Sequence, residues 1–310
     1  MKKYLRIILI VVITVVFISY FAVEYAAKNI LSYSAIKPSR VTKEMILTYY
    51  NDLANPSTVG LDYSDFNITV EDSIKLRGWF IYSEVKPAKG TIFILHGIGS
   101  CKNAMLPLAK TFCDEGFNCI CYDSRASGES GGLYCTFGYF EKKDVSAYID
   151  SAIVRYPDSS PYGIFGNSLG AAVSIQTMAI DKRLVCGIAQ SPFADLQNIV
   201  RDYFARIALV RVNYIPDKAL KYSEQIAHFK VDDVQPALSA KNITQPVMII
   251  HGLEDKNINP SYGKKVFENL SSKEKFWYPI AHGDHNNLSI AGGSEYTERI
   301  VWFFQKYLVK

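Results

Sequence analysis

The sequence predicts an α/β fold: a mostly parallel central sheet with helices on both faces. Three observations carry this. From Thr91 onward, short apolar runs alternate with helix-compatible stretches, as a parallel sheet with helical crossovers requires. The first of these runs, Thr91-Ile-Phe-Ile-Leu95, is apolar without interruption, as expected of a strand covered on both faces. Gly166-Asn-Ser168-Leu-Gly170 then leads from an apolar run into a small-residue, helix-compatible segment. A Gly-x-Ser-x-Gly turn in that setting lifts a serine hydroxyl off the end of a strand. The chain has 310 residues and 49% hydrophobic content, enough for one large domain of this class.

In chain order, Ile7 to Val23 is an uncharged run rich in Ile and Val, preceded by Lys2, Lys3 and Arg6. At 1.5 Å per residue it falls slightly short of a ~30 Å hydrocarbon core. A snorkelling Arg6 and an interfacial Tyr20 make up the difference. No A-x-A-like cleavage site follows, since the next residues are Glu24-Tyr-Ala-Ala-Lys28. Residues 1–23 are therefore expected to be an N-terminal membrane anchor. The basic start favours the N-terminus inside and the catalytic domain on the extracytoplasmic side, although Lys28, Lys37 and Arg40 on the far flank oppose that. Residues 24–61 read as a connector, helical around Lys43 to Leu53 and broken by Asn55-Pro-Ser57 and Gly60.

The main domain spans 62–310. It opens with two strand-like runs, Phe66–Val70 and Ile74–Tyr82, expected to pair as an antiparallel hairpin around Glu71-Asp-Ser73. A helix is expected at about 104–115, closing near Gly116, then a strand over Asn118–Asp123 and a helix over about 141–155. The strand and helix around Ser168 follow, then the apolar run Leu184–Ala189. Residues 192–240 interrupt the alternation. They are rich in Tyr, Phe, Ile and Val, with helix-like runs near 195–209 and 217–228, and are expected to form a short helical cap over the C-terminal edge of the sheet. The rhythm resumes with Pro246–Ile250, a helix near 261–270, a last strand Lys275–Tyr278 and an amphipathic helix from Glu295 to Leu308.

The net charge is +4, with Lys and Arg scattered rather than clustered, which argues against a nucleic-acid partner. With six cysteines, the chain is too long and too rich in core residues for a disulfide scaffold, and Cys119-Ile-Cys121 reads as core packing in a strand. No Cys/His spacing resembles a zinc site. Cys101 and Cys135 fall just past neighbouring strand ends, where an oxidising compartment would allow a bridge, but two free thiols are the expectation.

Acyl transfer needs a nucleophile, a base to take its proton, a carboxylate to orient the base, and donors for the oxyanion. Ser168 supplies the first. Asp255 follows a buried strand in His251-Gly-Leu-Glu-Asp255, at the strand end where sites of open parallel sheets collect; Glu254 is its neighbouring rival. The chain has five histidines, His96, His228, His251, His282 and His285. His251 abuts a strand and His228 lies in the cap, so the pair in Ala281-His-Gly-Asp-His-Asn-Asn287 after the last strand holds the natural candidates for the base.

Four segments in order carry a family resemblance: His96-Gly-Ile-Gly99, Asp123-Ser-Arg-Ala-Ser-Gly-Glu-Ser-Gly131, Gly166-Asn-Ser-Leu-Gly170, and His251-Gly-Leu-Glu-Asp255 with Pro260. Over about residues 62–310 the chain resembles the α/β-hydrolase superfamily, in its membrane-anchored or secreted serine-hydrolase branch related to serine aminopeptidases and short-cap esterases. The family pattern often has Arg-Gly in the second segment, where this chain has Arg125-Ala126. The resemblance implies an oxyanion hole made by the backbone N–H groups of Ile98 and Leu169. Gly97 and Gly99 give the backbone around Ile98 the freedom to turn its amide inward. The family order of serine, acid and then histidine also holds here. His285 is preferred over His282 because Asn286-Asn-Leu288 resembles the continuation of the family's catalytic loop, and because it lies farther from the strand end. The expected activity is a serine hydrolase with the triad Ser168, Asp255 and His285, acting on an ester, thioester or amide, with a carboxylesterase as the first expectation. The expected partner is a small-molecule or peptide acyl substrate, with no metal or organic cofactor. A peptidase of the same fold and a non-catalytic binding protein of the same fold are the alternatives.

Overall fold

In the computed structural model, which describes residues 2–308, the uninterrupted apolar runs form the interior of one eight-stranded sheet. The chain begins with helix α1 (Lys2–Ala26), which continues through a π-helical turn at Ala27–Leu31 into α2 (Ser32–Ile36). The helix therefore runs well past the boundary expected at residue 23. The reason is local: no glycine or proline interrupts the chain before Pro38, whose ring disfavours helix at the residue before it. A short helix α3 (Lys43–Tyr49) follows, with the Thr42 hydroxyl capping its first turn by accepting from the Met45 amide.

The strands are β1 (Tyr63–Asp65), β2 (Ile68–Thr69), β3 (Lys75–Leu76), β4 (Gly78–Ile81), β5 (Thr91–Leu95), β6 (Asn118–Tyr122), β7 (Tyr162–Asn167), β8 (Leu184–Gln190), β9 (Val247–Gly252) and β10 (Lys275–Ile280). The main sheet has the order β1-β4-β6-β5-β7-β8-β9-β10. The pairings of β4 with β1 and with β6 are antiparallel and the other pairings parallel, so that β4 alone runs against the sheet. The antiparallel start was expected, but as one long hairpin, and the pairing differs. Only a two-residue ladder, Ile68 with Leu76 and Thr69 with Lys75, forms around the turn. Beyond it the chain crosses into the main sheet, where β4 lies between β1 and β6. Contacts from a distant loop make that crossing. Ser130 Oγ accepts from the Arg77 amide at 2.8 Å, and Lys75 O accepts from the Gly131 amide at 2.7 Å. Gly78 is required beside β6, because a Cβ there would sit 2.6 Å from Tyr122 Cβ.

The remaining helices are α4 (Leu106–Asp114), α5 (Glu141–Arg155), α6 (Leu169–Ile180), α7 (Leu196–Ala208), α8 (Tyr214–Ala227), α9 (Pro236–Ser239), α10 (Pro260–Asn269) and α11 (Leu288–Tyr307). The last begins earlier than its apolar pattern suggested, and Gly293 at φ 58° and ψ −147° divides it into two helical pieces. Strand alternation sends side chains to two cores. Phe93 and Leu95 of β5 face one core with Tyr148 of α5 and Met178 of α6, while Ile92 and Ile94 face the other with Phe112 of α4 and Phe304 of α11. All six cysteines are buried free thiols, Cys101 and Cys135 included. Helices α7 and α8 stand between β8 and β9 in sequence, over the edge where β5, β7 and β9 end.

Candidate active site

The turn from β7 into α6 is forced by its residues. Ser168 sits at φ 55° and ψ −113°, a backbone state costly for any side-chain-bearing residue. The flanking glycines make room for it. A Cβ on Gly166 would lie 2.2 Å from the Gly170 carbonyl oxygen, and one on Gly170 would lie 2.4 Å from the Leu95 carbonyl oxygen. The Ser168 amide donates to Gln190 O at 2.8 Å, and Gln190 accepts in turn from the Tyr296 hydroxyl at 2.6 Å. These bonds hold the hydroxyl of Ser168 at the head of α6, where the helix dipole is positive.

His285 and Asp255 converge on that hydroxyl from the loops after β10 and β9. His285 Nε2 lies 2.9 Å from Ser168 Oγ, and His285 Nδ1 lies 2.7 Å from Asp255 Oδ2. The other carboxylate oxygen, Oδ1, accepts from the amides of Asn257 at 2.8 Å and Ile258 at 2.9 Å. Burial alone would raise the Asp255 carboxyl. Hydrogen bonds from His251, His285 and the Ile258 amide outweigh it and hold the group well below the usual carboxylate range. Asp255 is thus ionised at neutral pH, where it favours the Nδ1–H tautomer of His285 and leaves Nε2 to accept from the serine.

The other candidates stand elsewhere. His282 and Glu254 pair with each other at 3.1 Å on the solvent rim and contact neither Ser168 nor Asp255. His228 is an exposed residue ending α8 in a left-handed conformation. His96 is buried and spans two loops, with Nδ1 2.7 Å from Gly97 O and Nε2 accepting from the Ser124 amide at 3.0 Å. Burial lowers its imidazole pKa, so it serves as a neutral brace. Sequence reasoning set His251 aside because it adjoins a strand. It is in fact wholly buried behind Asp255, with Nε2 2.9 Å from Ile258 O and 3.4 Å from Asp255 Oδ2. Three residues lie between His251 and Asp255 across the strand end, but that spacing alone does not say that the imidazole turns inward.

Opposite the serine, the loop after β5 brings Gly97 close, so that a Cβ there would lie 3.4 Å from Ser168 Cβ. Among the described residues, the amides of Ile98 and Leu169 donate to no protein acceptor. The loop after β6 buttresses this edge. Asp123 receives the Lys102 amide and ammonium, both at 2.7 Å, and Arg125 grips Asp144 at 2.6 and 2.8 Å.

Over the serine lies a cavity of about 260 Å³. Its walls come from the Ile98 loop, from Phe193, from α7 with Tyr203 and Phe204, from Pro216 and Ala219 of α8, and from Leu31, Ser34 and Ala35 in the continuation of the N-terminal helix. The last three residues fall in the stretch read from sequence as a mere connector. Among the described residues, two hydroxyls besides Ser168, those of Ser34 and Tyr203, are the polar side chains lining it, and no acidic or basic residue does so.

Comparison with known proteins gives three kinds of likeness. Residues 86–235 match the family described as serine aminopeptidase, S33. Among solved structures, an esterase from Pyrococcus furiosus, Pf2001, is 25% identical with a TM-score of 0.68; the match covers 82% of this chain and 96% of that one. YqkD of Bacillus subtilis is 25% identical over 74% of this chain and 71% of its own. The Saccharomyces cerevisiae membrane protein YNL320W is 22% identical over 78% of this chain and 80% of its own.

Proposed function

We propose that this chain, an α/β-hydrolase of the esterase and peptidase type, is a serine hydrolase that cleaves carboxylic esters through an acyl-enzyme. The single observation that carries the reading is the continuous hydrogen-bonded chain from Ser168 Oγ through His285 to Asp255, at 2.9 and 2.7 Å. As the Ser168 oxygen attacks the ester carbonyl carbon, its proton passes to His285 Nε2. The carbonyl oxygen gains negative charge and accepts from the amides of Ile98 and Leu169. The C–O bond to the alcohol then breaks, and His285 returns the proton to the departing oxygen. Water repeats the sequence on the acyl-serine, releasing the carboxylic acid and restoring Ser168. Asp255 stays ionised throughout and stabilises the imidazolium.

The S33 family match also favours an aminopeptidase, and a thioester or amide substrate would follow the same steps. The cavity weighs against the aminopeptidase. A substrate with a free α-amine brings a cation that wants a carboxylate or a set of carbonyls, and no acidic side chain lines the walls. An uncharged acyl chain suits them. The test is hydrolysis of p-nitrophenyl acetate and of an aminoacyl p-nitroanilide by the full chain and three variants. Ser168→Ala is expected to fall to background on the ester. His285→Ala is expected to lose roughly a hundred- to ten-thousandfold in kcat, while His282→Ala keeps substantial turnover. Full activity in Ser168→Ala contradicts the nucleophile, the opposite histidine ranking moves the base to His282, and preference for the anilide makes the chain a peptidase.

A further inference from the structure

The apolar cavity, the cap tip and the N-terminal helix meet at one place. Residues 7–22 of α1 stand clear of the body and are exposed all round. Packing begins just beyond them: Ala27, Ser32 and Ile36 are fully buried. The junction is fixed by Glu24, whose carboxylate accepts from the Tyr214 hydroxyl at 2.9 Å, the Tyr222 hydroxyl at 2.8 Å and the Lys218 ammonium at 2.7 Å. One turn on from Lys28, Ser32 O accepts from Ser223 Oγ at 2.9 Å. Helix α8 of the cap is thereby clamped to the helix at the point where it leaves the body. From Glu24 to Ala35, a wall of the cavity, is eleven residues, or about 16 Å of helix.

The segment joining α7 to α8 sits at the same junction, since Tyr214 is both its end and a partner of Glu24. It reads Ile207-Ala-Leu-Val-Arg-Val-Asn-Tyr214. Ile207 lines the cavity and is 79% exposed, so it marks the mouth. Beyond it Leu209 is 88% exposed, and Val210 and Val212 are exposed as well. Leu209 holds a left-handed φ of 56° at the position ending α7, where glycine is usual. Four aliphatic side chains turned to water at a helix end are a poor arrangement for a surface that meets only water, and a contiguous apolar patch of this kind marks a contact site. Arg206 precedes the patch and is held by Lys256 O and Asn257 Oδ1, while Arg211 lies between Val210 and Val212 and pairs with Asp202 at 3.1 Å. The patch lies next to the Tyr214–Glu24 contact, where the 17-residue apolar run of α1 leaves the body, and a bilayer holding that run would cover the patch with hydrocarbon.

Resting on the serine-hydrolase reading, we infer that the substrate is a long-chain acyl ester lipid, which passes from the bilayer into the cavity past the cap tip at 207–214. The acyl chain lies along Ile207, Phe204, Leu31 and Ala35, with its carbonyl at Ser168. One water is consumed per ester, and the fatty acid and the alcohol are released. The chain crosses from hydrocarbon to an apolar wall, so its transfer leaves little apolar surface in water.

The experiment uses the full chain reconstituted in phosphatidylcholine vesicles, with 4-methylumbelliferyl palmitate in the bilayer and p-nitrophenyl acetate in the water. The expected result is turnover of both, with the palmitate-to-acetate ratio lowered at least about tenfold in Leu209→Asp/Val210→Asp, because charge on the tip opposes its burial in hydrocarbon. An unchanged ratio overturns the inference. A readout independent of turnover is the tryptophan fluorescence of Val210→Trp, which should be quenched by brominated phosphatidylcholine beyond the wild-type background. Absence of that extra quenching also overturns it. Turnover of neither ester by the wild type removes the hydrolase reading, and the lipid substrate with it; turnover of the acetate alone removes only the lipid substrate.

Discussion

Ser168 is held in a backbone state that its side chain makes costly, and the two neighbours that make room for it were visible in the sequence as glycines. Gly166 and Gly170 have no room for a Cβ, so the Gly-x-Ser-x-Gly spacing could be interpreted sterically before any partner was known. Asp255 was legible for a similar reason: a carboxylate just past a buried strand has few places to go. The choice between His282 and His285 was less so. They lie in one loop, and what separates them is which one faces Asp255 and which faces Glu254, a matter of loop path rather than composition. The burial of His251 behind the carboxylate was missed because an apolar strand offers no cue that its last polar residue points inward. Asp255 also has a thermodynamic consequence. Its folded pKa is depressed, so its contribution to stability is full above the ordinary carboxylate range, around pH 4, and is lost as pH falls toward the folded value. The gap in unfolding free energy between wild type and Asp255→Asn should therefore be widest near neutral pH and narrow below about pH 4. Denaturant melts at a series of pH values measure it, and a gap independent of pH contradicts the assignment.

Among the elements, those built from their own residues were read closely. Helix α5 buries Val145, Tyr148, Ile149 and Ala152, a spacing of three, one and three that announces one helical face. Strands β5, β6 and β8 announced themselves by uninterrupted apolar runs. Elements whose partner is distant in sequence were read less well. Strand β4 leaves its hairpin because of Ser130 and Tyr122, residues more than forty positions away. The N-terminal helix continues through residues 24–36 because no breaker stops it before Pro38; what a mixed-polarity stretch does not state is that α8 receives it. The loop after β6 shows a local departure with a physical cost. Ala126, where the pattern that the chain resembles would place glycine, adopts a φ of 60°. A left-handed alanine is worth about 1 kcal/mol less than an unstrained residue, part of which the flexibility of glycine in the unfolded chain takes back. Ala126→Gly should therefore raise stability by roughly 0.5 kcal/mol without touching the site. A lower melting temperature for that variant would mean that the alanine methyl packs better than its backbone suffers.

At the scale of the whole molecule, one sheet edge gathers the serine, its two partners and the apolar cavity, and the N-terminal helix closes the cavity from the outside. We propose that this helix anchors the chain in a membrane over residues 1–23, that residues 24–61 lead into a catalytic domain of residues 62–310 with 192–240 as its cap, and that this domain faces outward. The basic residues Lys2, Lys3 and Arg6 favour that orientation. Protease added to intact cells should digest the domain; full protection until lysis would place it inside. The central claim, however, is chemical: a serine made nucleophilic by His285 and Asp255. The most direct measurement is a fluorophosphonate reaction of the full chain, followed by peptide mapping. One adduct is expected, on the peptide carrying Ser168, formed quickly by the wild type and far more slowly by His285→Ala. A folded wild-type chain that stays unmodified at Ser168, or carries the adduct on another serine, would contradict it.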